Sequence, residues 1–216
     1  MTISGDIVAE RAALAESLLA AGASAHAGCG EWTAFDLACH LVAEERLGGL
    51  TTFIARCLVA RGVSVTGPPA LVDSAIRLER RHGFSALIDR LRLPVPRLLL
   101  RPRVAPLALF EYWTHHDDLV GAGEAAHAAP PTLIEVVPLL LRHQLRKLPA
   151  DIRVTVGTDD DSIRSSVGPA SAPEVIVRGS SANLVRWLAR RRPPTDLTMA
   201  GPAAEVQKLR AFEAHV

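Results

Sequence analysis

The feature that most constrains this chain is a change of hydrophobic period at Asp151. Up to Pro149, apolar residues recur at the three-to-four-residue spacing of helices, whereas IRVTVG and SIRSSV alternate at period two around TDDD. A chain with that break builds a helical part first and a strand-bearing part second. The predicted fold is mainly α with an α+β C-terminal part: a helical domain over 1–149 and a small α+β domain over 150–216. In the latter, EVIVRG reads as a third strand. A helix over 181–191, a strand at TDLTMAG and a last helix over 202–213 follow it. The TDDD run lacks the spaced acidic residues and glycine of a calcium loop and reads as a hairpin turn.

The helical part is punctuated by recognisable starts and stops. Ile7, Val8, Leu14, Leu18 and Leu19 predict a first helix over 4–21, with Ser4 as its N-cap and Gly22 beyond its end. The loop AGASAHAGCGE holds His26 and Cys29, both metal-ligand types, and its glycines favour the alternative, a flexible turn. Thr33 followed by Asp36 is a capping box, and Trp32 with Leu37 is a hydrophobic staple. A second helix is therefore predicted from Thr33 to about Arg61. Gly83 separates two shorter helical pieces across 70–92. The prolines at 94, 96, 102 and 106 keep 94–106 from being one helix, and Pro106 suits the first turn of the next, which ends near Gly121 or Gly123. Thr132 and Glu135 predict another capping box, opening a strongly apolar helix bent at Pro138 and closed by Pro149.

Within two of these helices, polar groups fall on interior stripes. In TAFDLACHLVAEERL, His40 shares a stripe with Leu37, Leu41, Glu44 and Leu47. In FEYWTHHDDL, Glu111 and His115 stand one helical turn apart, with Leu107 and Asp118 on the same stripe. A lone histidine on an apolar face is ordinarily a hydrogen-bonded core residue, and Glu–His pairs at this spacing arise by accident. Three such groups facing inward are harder to dismiss, because burying Glu111 uncompensated costs several kcal/mol. The expectation is that His40, Glu111 and His115 bind one divalent metal with open coordination positions. Three N/O ligands are the composition of a catalytic zinc-type site, with nickel, iron or manganese as alternatives. Asp118 and Glu44 are candidates to orient a ligand imidazole or to handle protons, a solvated carboxylate being the plain alternative for each. His116, about 100° round the helix from His115, is expected at the rim or the surface. Cys39 is expected to be a packing residue.

Composition excludes several classes. The 24 Lys and Arg balance 23 Asp and Glu among 216 residues, so no field draws nucleic acid or anionic lipid, and 49% hydrophobic residues can fill a sizeable core. Three cysteines without CxxC spacing fit a reducing cytoplasm. No signal-peptide pattern or membrane span is read, so a soluble, cytoplasmic protein is expected. There is no G-x-S-x-G, phosphate-binding glycine loop or dinucleotide fingerprint.

The segment from Trp32 through DLACHL to Arg46, together with EYWTHHDDL, resembles the DinB-like metal-binding four-helix bundles of actinobacteria related to mycothiol-dependent maleylpyruvate isomerase. EVIVRGSSANLVRWLARR and DLTMAGPAAEVQKL resemble that family's second, sterol-carrier-like domain, so the resemblance spans nearly the whole chain. It puts the family's metal ligands on His40, Glu111 and His115. It implies a divalent metal, usually zinc, that lowers the pKa of a low-molecular-weight thiol such as mycothiol and presents it to a small electrophile. The expected function is thus a metal-dependent thiol S-transferase or isomerase, acting as a monomer or homodimer. Its alternative is a non-enzymatic module holding an apolar ligand in the C-terminal domain beside a structural or vestigial metal. Val120 and Gly121 stand where relatives often carry a basic pair. Arg186 and Arg190 are the candidates for that cofactor-binding role, against the alternative that they are surface arginines.

Overall fold

The computed structural model describes residues 2–46, 74, 76–121, 127–145, 151–159, 164–189 and 196–214. The chain divides into two compact units, Met1–Leu133 and Ile134–Val216.

In the first unit, helix α1 spans Ile3–Ala21, α2 Ala34–Glu45, α3 Phe84–Leu91 and α4 Ala105–Gly121. Helix α1 packs along α4 and also touches α2 and α3. Its cap is Thr2 and not the expected Ser4: the Thr2 hydroxyl accepts from the Gly5 amide at 3.2 Å. Ile7, Leu14 and Leu18 are fully buried, while Val8 and Leu19 are exposed. The capping box of α2 is present in both directions, Thr33 accepting from the Asp36 amide and Asp36 from the Thr33 amide. However, α2 ends sooner than expected. Arg46 is extended, at φ −77° and ψ 161°, so the chain leaves the helix there; the expected continuation from 47 onward lies outside the described residues. One reason is visible at the junction. Arg46 reaches Glu79 at 2.8 Å and Glu45 pairs with Arg11, so both residues at the helix end are engaged in tertiary ion pairs.

Arg11 ties α1 to α3. Its guanidinium grips Glu45 through both oxygens, at 2.6 and 2.7 Å, and donates to the carbonyls of Arg90, Leu91 and Leu93 at the end of α3. The Leu91 and Leu93 carbonyls lie where intrahelical amides run out, and a buried cation is suited to satisfy them; the Arg90 carbonyl also accepts from the Leu93 amide at 3.2 Å. Burial works against the charge, but Glu45 more than offsets it and holds the Arg11 proton more firmly than usual.

Helix α4 is the axis of this unit, and every residue from Tyr112 to Leu119 is buried. Segment 131–136 is a 3₁₀ helix and not the start of a capped α-helix. Thr132 does not cap it, because its amide and hydroxyl both donate to the buried Asp6 of α1, at 3.1 and 2.8 Å. The regular helix, α5, spans Val137–Gln144, so Pro138 sits in its first turn, where a missing amide hydrogen costs nothing, and no kink results.

The second unit holds β1 (Arg153–Thr158), β2 (Arg164–Val167), β3 (Glu174–Gly179), helix α6 (Ser181–Ala189), β4 (Thr198–Ala200) and helix α7 (Ala203–Ala214). The sheet order is β2-β1-β3-β4. Strands β1 and β2 form the expected antiparallel hairpin, Val154 opposite Val167; β3 joins the other edge of β1 in parallel, Val154 opposite Val175, and β4 closes antiparallel. Val154, Val156, Val175 and Val177 are fully buried, as are Leu184 and Val185 of α6, which packs on β1, β3 and α5. Among the described residues, no helix is long and apolar enough to cross a membrane.

Candidate metal centre

His40 of α2 and Glu111 and His115 of α4 converge, with one ligand atom from each lying within 4.8 Å of the others. His115 Nε2 is 3.5 Å from Glu111 Oε2, and the two imidazoles stand edge to face with centroids 5.0 Å apart. A tetrahedral cation with ligands at ~2.0–2.1 Å needs donor atoms roughly 3.3 Å apart, and the His115–Glu111 pair already stands near that spacing. The histidines are 3% and 2% exposed, which removes water as a competing partner. Trp32, the staple residue, packs on both rings, at 5.0 Å from His40 and 6.4 Å from His115.

Around this trio the expected helpers take different places. Glu44 Oε1 lies 3.5 Å from His40 Nε2, one turn along α2. A hollow of about 10 Å³, enough for a water, is lined by Glu44, Glu111, Leu41 and Tyr112 among others. Asp118 is on the opposite side of His115, where Cys29 Sγ donates to Asp118 Oδ2 at 3.1 Å and meets His115 Nδ1 at 3.5 Å. His115 thus turns Nε2 toward Glu111 and Nδ1 toward a Cys–Asp pair. Arg186 lies in the second unit, where it donates to Asn183 at 3.1 Å, and Arg190 and Cys57 lie outside the described residues.

Cys29 is the residue that the sequence reading set aside, and its loop is held by specific contacts. A bridge pairs His26 with Thr33, His26 holds the Gly30 carbonyl at 2.7 Å, the Ala27 amide donates to the Trp32 carbonyl at 2.9 Å, and the Trp32 amide donates to the Cys29 carbonyl at 3.0 Å. Gly28, at φ 74°, passes so close to α4 that an added Cβ would collide with the Asp118 carbonyl. The glycines there serve close approach and positive φ, not mobility. The signal was the pair of glycines around a cysteine just before a firm helix cap.

His116 also departs from expectation: it is 5% exposed, not at a rim. Its Nδ1 meets Glu10 Oε1 of α1 at 2.7 Å, its Nε2 meets Ser17 at 2.8 Å, and His127 Nε2 reaches the same Glu10 oxygen at 2.7 Å. Burial alone would push the Glu10 carboxyl up, yet the bonds from His116 and His127 outweigh it and hold it below the ordinary carboxylate value. Cys39 is fully buried, and burial followed by the nearby Glu79 pushes its thiol up to about 11, consistent with a packing role.

No protein-family model matches the chain, and no curated protein matches it in sequence. Its fold is that of mycothiol-dependent maleylpyruvate isomerase. The crystal structure of that enzyme superposes with a TM-score of 0.51 and 15% identity, covering 95% of this chain and 96% of the other. A histidine-to-alanine mutant of the same enzyme superposes with a TM-score of 0.52 at the same identity and coverage. The likeness therefore extends over both units, the helical part and the small α+β part.

Proposed function

We propose that this protein is a divalent-metal enzyme of low-molecular-weight thiol chemistry, an S-transferase or isomerase that uses a mycothiol-type thiol. The observation that carries the reading is the convergence of His40, Glu111 and His115 in a buried pocket of two imidazoles and one carboxylate. The fold shared with a mycothiol-dependent isomerase supports the thiol as co-substrate. Zinc suits this donor set best, with nickel, iron or manganese as alternatives. A cation held there would lower the pKa of a thiol brought to it and so supply a thiolate at neutral pH.

The chain's own residues have separable tasks in this reading. His40 and His115 present neutral imidazole nitrogens, and Glu111 supplies the one formal charge. Cys29 and Asp118 brace His115 from its Nδ1 side, the kind of outer contact that fixes a ligand's tautomer and ring orientation. Trp32 covers both rings against bulk water. Glu44, which lines the hollow beside Glu111, is the proposed acceptor of the thiol proton. Arg186 and Arg190 are the proposed holders of an anionic group on the thiol or electrophile. No protein cysteine has to act as nucleophile. The setting is proposed to be the cytoplasm of an actinobacterium, where such a thiol is made.

The test is metal analysis joined to a thiol-transfer assay with mycothiol against a panel of electrophiles. His40→Ala, Glu111→Gln and His115→Ala should each lose transfer and the metal at this centre. Transfer retained in His115→Ala, or abolished in a folded, metal-loaded chain carrying Cys29→Ser, Cys39→Ala and Cys57→Ala, where the serine hydroxyl can still donate to Asp118, would overturn the reading.

A further inference from the structure

A second convergence of ligand-type side chains lies on the other side of α4 and shares no residue with the first. Glu10 comes from α1, His116 from α4 and His127 from the segment that follows α4. Their ligand atoms also lie within 4.8 Å of one another. We infer that Glu10, His116 and His127 form a second divalent-cation site of the two-histidine, one-carboxylate class.

Geometry first favours this. His116 Nδ1 and His127 Nε2 both point at Glu10 Oε1, each at 2.7 Å, and the two rings are 4.1 Å apart. Three donor atoms from three separate stretches of chain therefore face one small volume. A cation with ligands at ~2.0–2.1 Å spaces its donors roughly 3.3 Å apart, so binding requires each nitrogen to withdraw only about half an ångström from the oxygen. Rotation of the Glu10 side chain and the ring of His127, which is not on a helix, supplies that.

The outer contacts are those that a ligand set needs. His116 Nε2 is 2.8 Å from the Ser17 hydroxyl, which can donate to it or accept from it. The imidazole can therefore carry its proton on Nε2 and leave Nδ1 for a cation, or carry it on Nδ1 and donate to Glu10. His127 is clamped by Trp113, whose indole stacks on it at 5.7 Å and 28° and donates to the Ala128 carbonyl at 3.2 Å. Such second contacts hold ligand imidazoles in one orientation and tautomer. Glu10 and His116 are 7% and 5% exposed, so bulk water is a weak competitor at this cluster. Two imidazoles and one carboxylate are a donor set that a divalent cation takes in buried sites. Imidazole and carboxylate together suit zinc, iron and manganese.

The experiment titrates the metal-stripped full-length chain with zinc alone and reads stoichiometry by calorimetry and elemental analysis. Two zinc ions per chain are expected, one of which should survive in the double variant His40→Ala, His115→Ala. X-ray absorption on that double variant should show two imidazoles and oxygen around the retained zinc. His127→Gln, near the edge of the cluster and outside any helix, should lose one ion while circular dichroism stays unchanged. Glu10→Gln should do the same where it folds. Should His127→Gln fail to fold, the absorption spectrum of the double variant decides by itself. The inference is overturned if that double variant binds no zinc, if its bound zinc lacks two imidazoles, or if folded His127→Gln keeps its full complement. If zinc is lost with His127 but not with His40 and His115, this site stands and the first centre falls.

Discussion

Replacing Arg11 with Met tests whether a buried ion pair, and not the apolar core alone, joins α1 to α2 and α3. The Arg11 and Glu45 side chains are 4% and 8% exposed, so solvent hardly screens them. Met fills the space of the arginine stem, which keeps the cavity contribution small. What changes is that the Glu45 carboxylate stays buried with the Tyr112 hydroxyl, at 2.8 Å, as its remaining named partner. Breaking one side of such a pair costs ~3–5 kcal/mol. The carbonyls of Leu91 and Leu93 also lose the Arg11 donor, at ~1 kcal/mol or more together. The expected loss is ~4 kcal/mol, a large share of a typical domain's stability. With a urea slope of ~2 kcal/mol/M, the midpoint should fall by ~2 M. Measurement belongs in a Trp187→Phe background, because the chain has 3 Trp and the other two, Trp32 and Trp113, both lie in the first unit. Glu45→Gln should cost less, ~2 kcal/mol, since the amide keeps the shape and some of the bonds. A loss below ~1 kcal/mol in Arg11→Met would refute the reasoning.

The remaining expectations are smaller. Tyr112 is the chain's only tyrosine, and burial, followed by the Glu45 carboxylate, holds its phenol well above the ordinary value. The unfolded phenol ionises near ~10, so stability from this group is intact below that pH and declines above it. Tyrosinate absorbance should therefore rise only with unfolding, and a rise near the ordinary value in folded protein would contradict the burial. Thr33→Ala removes a capping box and should cost ~1 kcal/mol of the first unit's stability, read by the same fluorescence melt. Gly28→Ala forces a side chain against the Asp118 carbonyl at positive φ, so it should destabilise the loop and weaken metal retention at the His40 centre, measured by chelator competition. Fully buried Cys39 should resist alkylation in native protein, as mass spectrometry of the labelled peptides would show.

How much of this was legible in the sequence differs between the site and its surroundings. His40, Glu111 and His115 stood out because helical spacing alone decides which residues of one helix share a face. Their meeting across α2 and α4 needed only that both stripes turn inward. Cys29 was set aside because its flanking glycines read as a flexible turn, and His116 was misjudged for a different reason. A stripe argument assumes that a helix has an outside, yet α4 is buried from Tyr112 to Leu119, with α1 on one flank and the 22–33 loop with α2 on another. A residue displaced from the inward stripe then faces a second partner instead of water.

The sequence by itself determined where the helical pattern gives way to strands, where α2 begins, and that β1 and β2 form a hairpin. Each depends on interactions within a few residues: a cap, a turn, an alternation. Tertiary structure decided where α2 ends, because Arg46 and Glu45 are committed to Glu79 and Arg11 from elsewhere in the chain. It also made Thr132 a partner of Asp6 instead of a cap, and set β3 parallel to β1. Above all it decided what lies on the far side of α4. Long-range pairing rewards a side chain for a neighbour that is distant in sequence, and no local spacing records which neighbour that will be.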